Sequence, residues 1–475
     1  MTKKKSIVLN AFLSILNSLM SILFPIITFP YITKIFTVEC LGQFNFAKNF
    51  VDIFCIFAFF GIPTYAIREG AKVRNNQKRI EQLLSELFSI GLAISLIVSS
   101  ITILLAIFIP FLNSYLYLIF IFVLIIPLKM IGQEWIYYIY EDFKIISFIS
   151  IGANILSIIL MLLFVKTADD VYKYAIILVL ATGGANILLF ILARKYCKIS
   201  VTFATNLKKH IKPILILFST YVSIIIYNKT DLALLGVMCT DYDVGIYSVS
   251  SKIYTMVKTC LLALTGVLQA RAVIYISENN NSKIKEFLDN CFNMMLTILV
   301  PGILGLIFAS HDIIEVISSP DYLNASNSLI ILSFALFFSL FSTMQSSCIL
   351  IPNKNEYITL KGTIIGAGVN LILNLILIYS WKEVGAAIAT VVAEITVFIY
   401  YLKYTKKYYM YDNLRRFFLI FCCGFIVILV IYLSNAIFED LYIRLFFEII
   451  LSLILYLFVI IITNNQLLTF FKGIK

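Results

Sequence analysis

The sequence predicts an all-α polytopic membrane protein with about 14 transmembrane helices, arranged as two six-helix lobes followed by two extra C-terminal helices. The composition is 61% hydrophobic and only 13% charged, whereas soluble domains have about 45–50% apolar and about 25% charged residues. The apolar runs continue without interruption for about 20 residues, which is the length of spanning helices and not of barrel strands. These observations argue against a soluble protein and against a membrane β-barrel.

The predicted helices follow the apolar segments along the chain. Lys3, Lys4 and Lys5 precede the first segment, but that segment continues past Phe24 without a small-residue cleavage site, so we interpret it as a retained span and not as a signal peptide. The fourteen segments are 7–33, 43–66, 84–109, 113–128, 145–165, 171–193, 213–238, 244–270, 288–309, 325–351, 357–380, 382–402, 417–436 and 443–464.

The basic residues predict the orientation. Most of the 37 Lys and Arg lie at the termini and in every second connection. The intervening connections hold five: Lys34, Lys166, Lys173, Lys382 and Arg444. Because positively charged loops stay in the cytoplasm, both termini are predicted to be cytoplasmic. The formal charge of +11 is then explained by basic anchors near lipid headgroups, and no nucleic-acid partner is predicted.

A weak internal repeat predicts two halves. GQFNFAKNF from Gly42 and GIYSVSSKI from Gly245 each open with glycine, have an aromatic residue two positions later, and then a lysine, Lys48 or Lys252. Because each half has an even number of helices, the halves are expected to share one orientation, related by an axis along the membrane normal. The predicted domains are an N-lobe at 1–195, a C-lobe at 213–403 and the two extra helices within 417–475.

Several stretches, taken in order, resemble Wzx-type polysaccharide flippases. They are NSLMSILFPIITFPYITKIFTVECLGQFNFAKNF, GIPTYAIREGAKVR, QEWIYYIYEDFKIISFISIGANILSIILMLLFVKTADD, NKTDLALLGVM and DVGIYSVSSKI. These flippases form the polysaccharide biosynthesis protein family of the multidrug/oligosaccharidyl-lipid/polysaccharide exporter superfamily. The resemblance covers essentially the whole chain. It implies a V-shaped pair of lobes around a cation-lined cavity, alternating access, and a place in the bacterial cytoplasmic membrane.

The function implied by this resemblance is translocation of an undecaprenyl-diphosphate-linked oligosaccharide repeat unit from the inner to the outer leaflet. The implied partners are that substrate, membrane lipids, a coupling proton or sodium ion, and the polymerase and glycosyltransferases of the same pathway. Two alternatives stay open. One is a cation-coupled exporter of small molecules from the same superfamily, although the first span shows no acidic cation site of that kind. The other is a membrane glycan polymerase.

Charged residues within the spans are the candidate site, because ionisable groups at membrane depth are costly and mark partners or watery paths. Lys48 and Asp52 are four residues apart on one helix face and can pair. They are either a self-neutralising pair, or Lys48 contacts the substrate diphosphate, for which a compact ammonium is suited. Arg68, at the cytoplasmic end of the second span, is either an interfacial anchor or an entry contact for the diphosphate.

The hairpin of the seventh and eighth segments holds four charges. Asp231 and Lys252 lie at similar depth and are predicted to be partners, whereas Lys229 is two residues from Asp231 and faces elsewhere. Lys258 lies deeper and is the strongest predicted phosphate contact, with a structural partner such as Glu394 as the alternative. Glu394 is either that counter-ion or an ion-coupling carboxylate.

The charges of the spans predict a cationic cavity. Lys48, Lys229, Lys252 and Lys258 oppose Asp52, Asp231 and Glu394, and the positive sum favours a diphosphate over a cationic drug. The sequence has no Walker loop, no metal-ligand spacing and no recognisable catalytic set. We therefore expect no enzyme activity, no catalytic residue, no cofactor and no metal.

Overall fold

The structure is a computed structural model that describes residue 20 and residues 23–59, 61–202, 207–278, 281–408 and 413–463. Over these ranges all regular secondary structure is helical, and ten helices are long and apolar enough to cross a membrane, or eleven if one bent helix is counted as a span. The predicted all-α polytopic fold is therefore confirmed. The count of fourteen stays a prediction, because most of the first segment lies outside the described residues.

The described α-helices are numbered in chain order. They are α1 (Leu23–Ile35), α2 (Val38–Phe59), α3 (Ile62–Val73), α4 (Gln77–Phe108), α5 (Leu116–Val123), α6 (Ile125–Gly132), α7 (Trp135–Ile139), α8 (Phe143–Phe164), α9 (Val171–Ala193), α10 (Leu207–Met238), α11 (Asp241–Ser277), α12 (Asn281–Phe308), α13 (Ser310–Ile317), α14 (Ala325–Met344), α15 (Glu356–Thr405), α16 (Asn413–Ile437) and α17 (Leu441–Thr463). Within α15 the chain bends sharply at Lys382, where φ is 46°, at the boundary between two predicted segments.

The chain divides into two compact units, Met1–Gly245 and Ile246–Lys475. The division falls in the second turn of α11, so α10 belongs to the first unit. In the first unit α2 packs against α4, α5 and α10, and α9 packs against α6 and α8. In the second unit α14 packs along α15, while α12, α13 and α16 contact α17. The predicted lobe boundaries at 195, 213 and 403 stay predictions.

The outer faces of the helices are apolar, as a lipid-facing surface requires. On α8, Phe148 and Leu163 are 61% and 62% exposed, while Ile146 and Met161 are buried. A helix that is apolar all round is typical of a membrane span and not of a soluble bundle. The polar side chains described below therefore differ from the rest of these helices.

The glycines that open the two repeat motifs pack together. A Cβ atom at Gly42 would lie 1.9 Å from the Asp241 carbonyl oxygen, and one at Gly245 would lie 2.1 Å from the Val38 carbonyl oxygen. The start of α2 and the turn before α11 thus approach backbone to backbone, which only glycine permits. This contact within the first unit explains why glycine stands at both positions, and the relation between two halves stays a prediction.

Hydrogen bonds hold the same turn in place. The Thr240 hydroxyl and backbone N–H donate to Asp243 Oδ2 over 2.6 and 3.1 Å, and the Asp243 N–H donates to the Thr240 hydroxyl over 3.4 Å, forming a capping box that starts α11. The Asp241 carboxylate accepts from Gln43 Nε2 over 2.9 Å and from the Tyr115 hydroxyl. Because α10 ends at this turn, these contacts also set its position beside α2.

We expect Gly42→Ala and Gly245→Ala to destabilise the protein by about 1–3 kcal/mol, the usual cost of overpacking, because backbone oxygens cannot move aside. Thermal unfolding of the detergent-purified protein measures the effect. Gly152→Ala on α8 is the control, since a Cβ there meets no atom within 4 Å. Equal unfolding temperatures for all three variants would contradict the proposed contact.

Candidate substrate site: charged side chains within the helices

The first unit contains a cluster of two lysines that share one carboxylate. Asp52 Oδ2 accepts from Lys48 Nζ over 2.8 Å and from Lys229 Nζ over 3.2 Å. Lys48 and Asp52 lie one turn apart on α2, so the expected pair is present. Lys229 reaches it from α10, which sequence spacing does not reveal.

An amide beside the cluster joins the two helices. Asn49 Nδ2 donates to the Lys229 backbone oxygen over 3.0 Å, and Asn49 is itself buried. The two helices also pack together near the end of α10, where Phe46 of α2 fills the space that a side chain at Gly236 would need. Contacts on both sides of the cluster therefore fix the distance between Lys48 and Lys229.

The cluster keeps one positive charge in excess. The side chains of Lys48, Asp52 and Lys229 are 39%, 21% and 35% exposed, so their charges remain accessible and are not sealed in the core. Among apolar helices such a site concentrates its field on an anion that approaches it. The cluster can therefore bind an anionic group without first breaking both ion pairs.

The second unit contains a neutral pair. Lys258 Nζ of α11 donates to Glu394 Oε1 of α15 over 2.9 Å and lies 3.3 Å from the Tyr254 hydroxyl. The two charged side chains are only 20% and 4% exposed. This geometry fits the alternative in which Lys258 and Glu394 are each other's counter-ions. It offers less free positive charge to a phosphate than the cluster of the first unit does.

The other predicted site residues are Asp231, Lys252 and Arg68. Asp231 on α10 belongs to the first unit and Lys252 on α11 to the second, so their predicted pairing stays a prediction. Arg68 on α3 is half exposed, donates to Glu69 Oε1 over 3.0 Å, and lies 5.5 Å from the centre of the Tyr65 ring. These contacts fit the predicted interfacial anchor.

The sum of charges over the spans needs a correction. It omitted further charged residues that lie inside the predicted segments: the acids Glu86, Asp289, Glu383 and Glu448 and the bases Lys173, Lys361, Lys382 and Arg444. Of these acids, Glu86, Asp289 and Glu448 are buried, in α4, α12 and α17. These residues could have been found in the sequence by counting the charged side chains within each predicted segment. A single net charge for all spans is therefore less informative than the local balance in each group of contacting side chains.

A cavity of about 490 Å³ in the first unit contains a lysine that was predicted to lie in a connection. Lys129 lines it with Glu134, Asn154 and Asn186. The predicted segment ended at 128, but α6 continues to Gly132 because the chain first turns at Gln133, where φ is 48°. Lys129 is thus a helix residue.

Among the residues that the structure describes, no group of three or more His, Cys, Asp or Glu side chains is placed to hold a metal ion.

Comparisons with known proteins identify relatives of this chain. The probable low-salt glycan biosynthesis flippase Agl15 of Haloferax volcanii is 26% identical over 169 residues, 34% of each chain. An uncharacterized membrane protein of Methanocaldococcus jannaschii is 25% identical over 228 residues, 47% of this chain and 44% of that one. The chain thus spans a third to less than half of these two relatives. The putative O-antigen transporter of Escherichia coli K12 is 24% identical over 389 residues, 79% of this chain and 91% of the relative.

A solved structure shows the same fold. The lipid II flippase MurJ, in an inward closed conformation, aligns with a TM-score of 0.75 and 18% identity, covering 97% of this chain and all of that one. An inward-facing multidrug resistance MATE transporter aligns less well, with a TM-score of 0.52 and 13% identity.

The family follows from the sequence model. The model described as polysaccharide biosynthesis protein matches residues 7–269, which is more than half of the 475 residues. The chain therefore belongs to the polysaccharide biosynthesis protein family.

Proposed function

We propose that this protein is a flippase that moves an undecaprenyl-diphosphate-linked oligosaccharide repeat unit across the bacterial cytoplasmic membrane by alternating access. The observation that carries the proposal is the Lys48–Asp52–Lys229 cluster, where two ammonium groups share one carboxylate. The names of two relatives, a glycan biosynthesis flippase and an O-antigen transporter, support it. Both termini are proposed to be cytoplasmic.

The cluster suits a diphosphate for a physical reason. An ammonium is a compact charge with three donors, and it binds phosphate without requiring one orientation. When a diphosphate arrives, one lysine can turn to it while the other keeps Asp52 neutralised, so no charge is left unpaired in the membrane. Lys252 and Arg68 are proposed as further contacts along the path. A cationic drug would meet repulsion here, which disfavours the multidrug exporter.

The proposed function requires other enzymes that act before and after transport. A lipid-linked repeat unit must be assembled by glycosyltransferases before it is moved, and a polymerase would act on it afterwards. We propose these enzymes as partners, with transport as the role of this chain and no catalysis of its own.

Export of glycan in a strain that lacks its own copy of the gene tests the cluster. We expect Lys48→Gln or Lys229→Gln to reduce surface glycan severalfold, because the remaining lysine and Asp52 form a neutral pair. The double variant leaves Asp52 alone, and we expect at least a tenfold loss with lipid-linked intermediate accumulating inside. Surface glycan and the intermediate are both quantified at matched protein levels.

Lys78→Gln is the control, because Lys78 is exposed in the first turn of α4. It removes the same charge outside the cluster and should export normally. Normal export by the double variant would contradict the site. Efflux of a cationic dye that depends on the same lysines would instead favour the exporter.

A further inference from the structure

The last helix carries a row of polar side chains inside the protein. Arg444, Glu448, Ser452 and Tyr456 follow one another at intervals of four along α17, so they share one helix face. Each step covers about 6 Å at the α-helical rise. All other positions from Leu445 to Leu455 on this helix are apolar, so the row is a distinct feature.

The row becomes more buried with depth. Asp440 in the turn before α17 is exposed and Arg444 is partly buried, whereas Glu448, Ser452 and Tyr456 are 2%, 6% and 1% exposed. Both carboxylate oxygens of Glu448, the Ser452 hydroxyl and the Tyr456 hydroxyl find no hydrogen-bond partner among the described residues. Three such groups in succession are unusual, because unpaired buried polar atoms are costly.

Among the described residues, the charges beside Glu448 do not neutralise it. Asp312 of α13 accepts a two-pronged ion pair from Arg444, with both contacts at 2.6 Å, so these two charges satisfy each other. The charged residues of α12 lie only at 283–289, near its start, and α16 has none over 420–437. The titratable groups of α16 are Cys422, Cys423 and Tyr432 over the same stretch.

An ionised carboxylate without a counter-ion is costly in such surroundings. Burial therefore favours the neutral acid of Glu448 over its ionised form. A hard metal cation takes a shell of several oxygens, whereas one carboxyl and one hydroxyl a turn away do not form such a shell. A proton needs a single oxygen.

We propose that Glu448 is a proton-binding site, filled from the α16–α17 turn past the Arg444–Asp312 pair. The step is balanced: a hydronium ion protonates the carboxylate, giving the acid and water, and loss of the proton reverses it. This goes beyond the proposed function, because it names an ion and a binding residue that do not depend on which molecule is carried.

Infrared difference spectra of the purified full-length protein, recorded across a pH titration, test the site. We expect a carboxylic acid band that disappears as pH rises and that is absent in Glu448→Gln, which matches the protonated acid in shape and should fold. Glu439→Gln is the control, because Glu439 is exposed in the neighbouring turn, and it should keep the band.

Three results would overturn the proposal. They are an unchanged titrating band in Glu448→Gln, a Glu448 band that does not respond to pH at all, and a band that responds to sodium at constant pH.

Discussion

Replacing Glu394 with alanine is expected to destabilise the second unit by about 3–5 kcal/mol, the typical cost of breaking a buried ion pair by removing one partner. Lys258 would lose its 2.9 Å partner while remaining surrounded by apolar helices. The contact with the Tyr254 hydroxyl cannot replace a counter-ion. Chemical or thermal unfolding of the purified protein measures the loss.

A double substitution separates stability from function. Lys258→Met with Glu394→Leu removes both charges and keeps the volume, and such replacements of buried pairs are often neutral. We expect it to recover most of the stability lost in Glu394→Ala. If Glu394 serves only as a counter-ion, export recovers too; if it couples an ion, export stays low. A single Glu394→Ala variant as stable as wild type would contradict the buried pair.

Replacing His210 with alanine is expected to cost the first unit about 2–3 kcal/mol, because it removes two buried hydrogen bonds, each contributing about 1 kcal/mol, and leaves a cavity. His210 Nε2 lies 2.9 Å from Glu86 Oε2 and its Nδ1 lies 3.0 Å from the Tyr65 hydroxyl. All three residues are buried. The substitution leaves Glu86 with the 2.9 Å hydrogen bond from Gln82 and opens a void beside Tyr65.

The consequence reaches the substrate cluster, because His210 lies in the first turns of α10 and Lys229 lies further along the same helix. We therefore expect lower unfolding temperature and reduced export together. His311→Ala is the control, since His311 is exposed in α13 with a 3.4 Å contact to Ser326. Matching unfolding curves for the two histidine variants would show that the buried triad does not hold α10.

Composition, segment length and residue spacing predicted the fold class and one ion pair of the candidate site. Long apolar runs can bury their backbone polar groups in a membrane only as helices, so the all-α polytopic fold followed from composition and segment length. The Lys48–Asp52 pair followed from a spacing of four on one helix. The glycines of the repeat could be identified in the sequence. The contact between Gly42 and the turn before Gly245, which requires glycine at both positions, is seen only in the structure.

Contacts between distant segments were decided by the tertiary structure. Lys229 meets Asp52 across 177 residues, and Lys258 meets Glu394 across 136. Spacing along one helix carries no information about which side chains of another helix will face it, so the Lys229–Asp52 contact was not visible from spacing, and the role of Lys258 as a phosphate contact stays a prediction. The spacing of four residues between Arg444 and Glu448 could also be seen in the sequence. The burial of Glu448 could not be predicted from the sequence, because the packing of α12, α13 and α16 around α17 decides which face of α17 meets lipid and which meets protein.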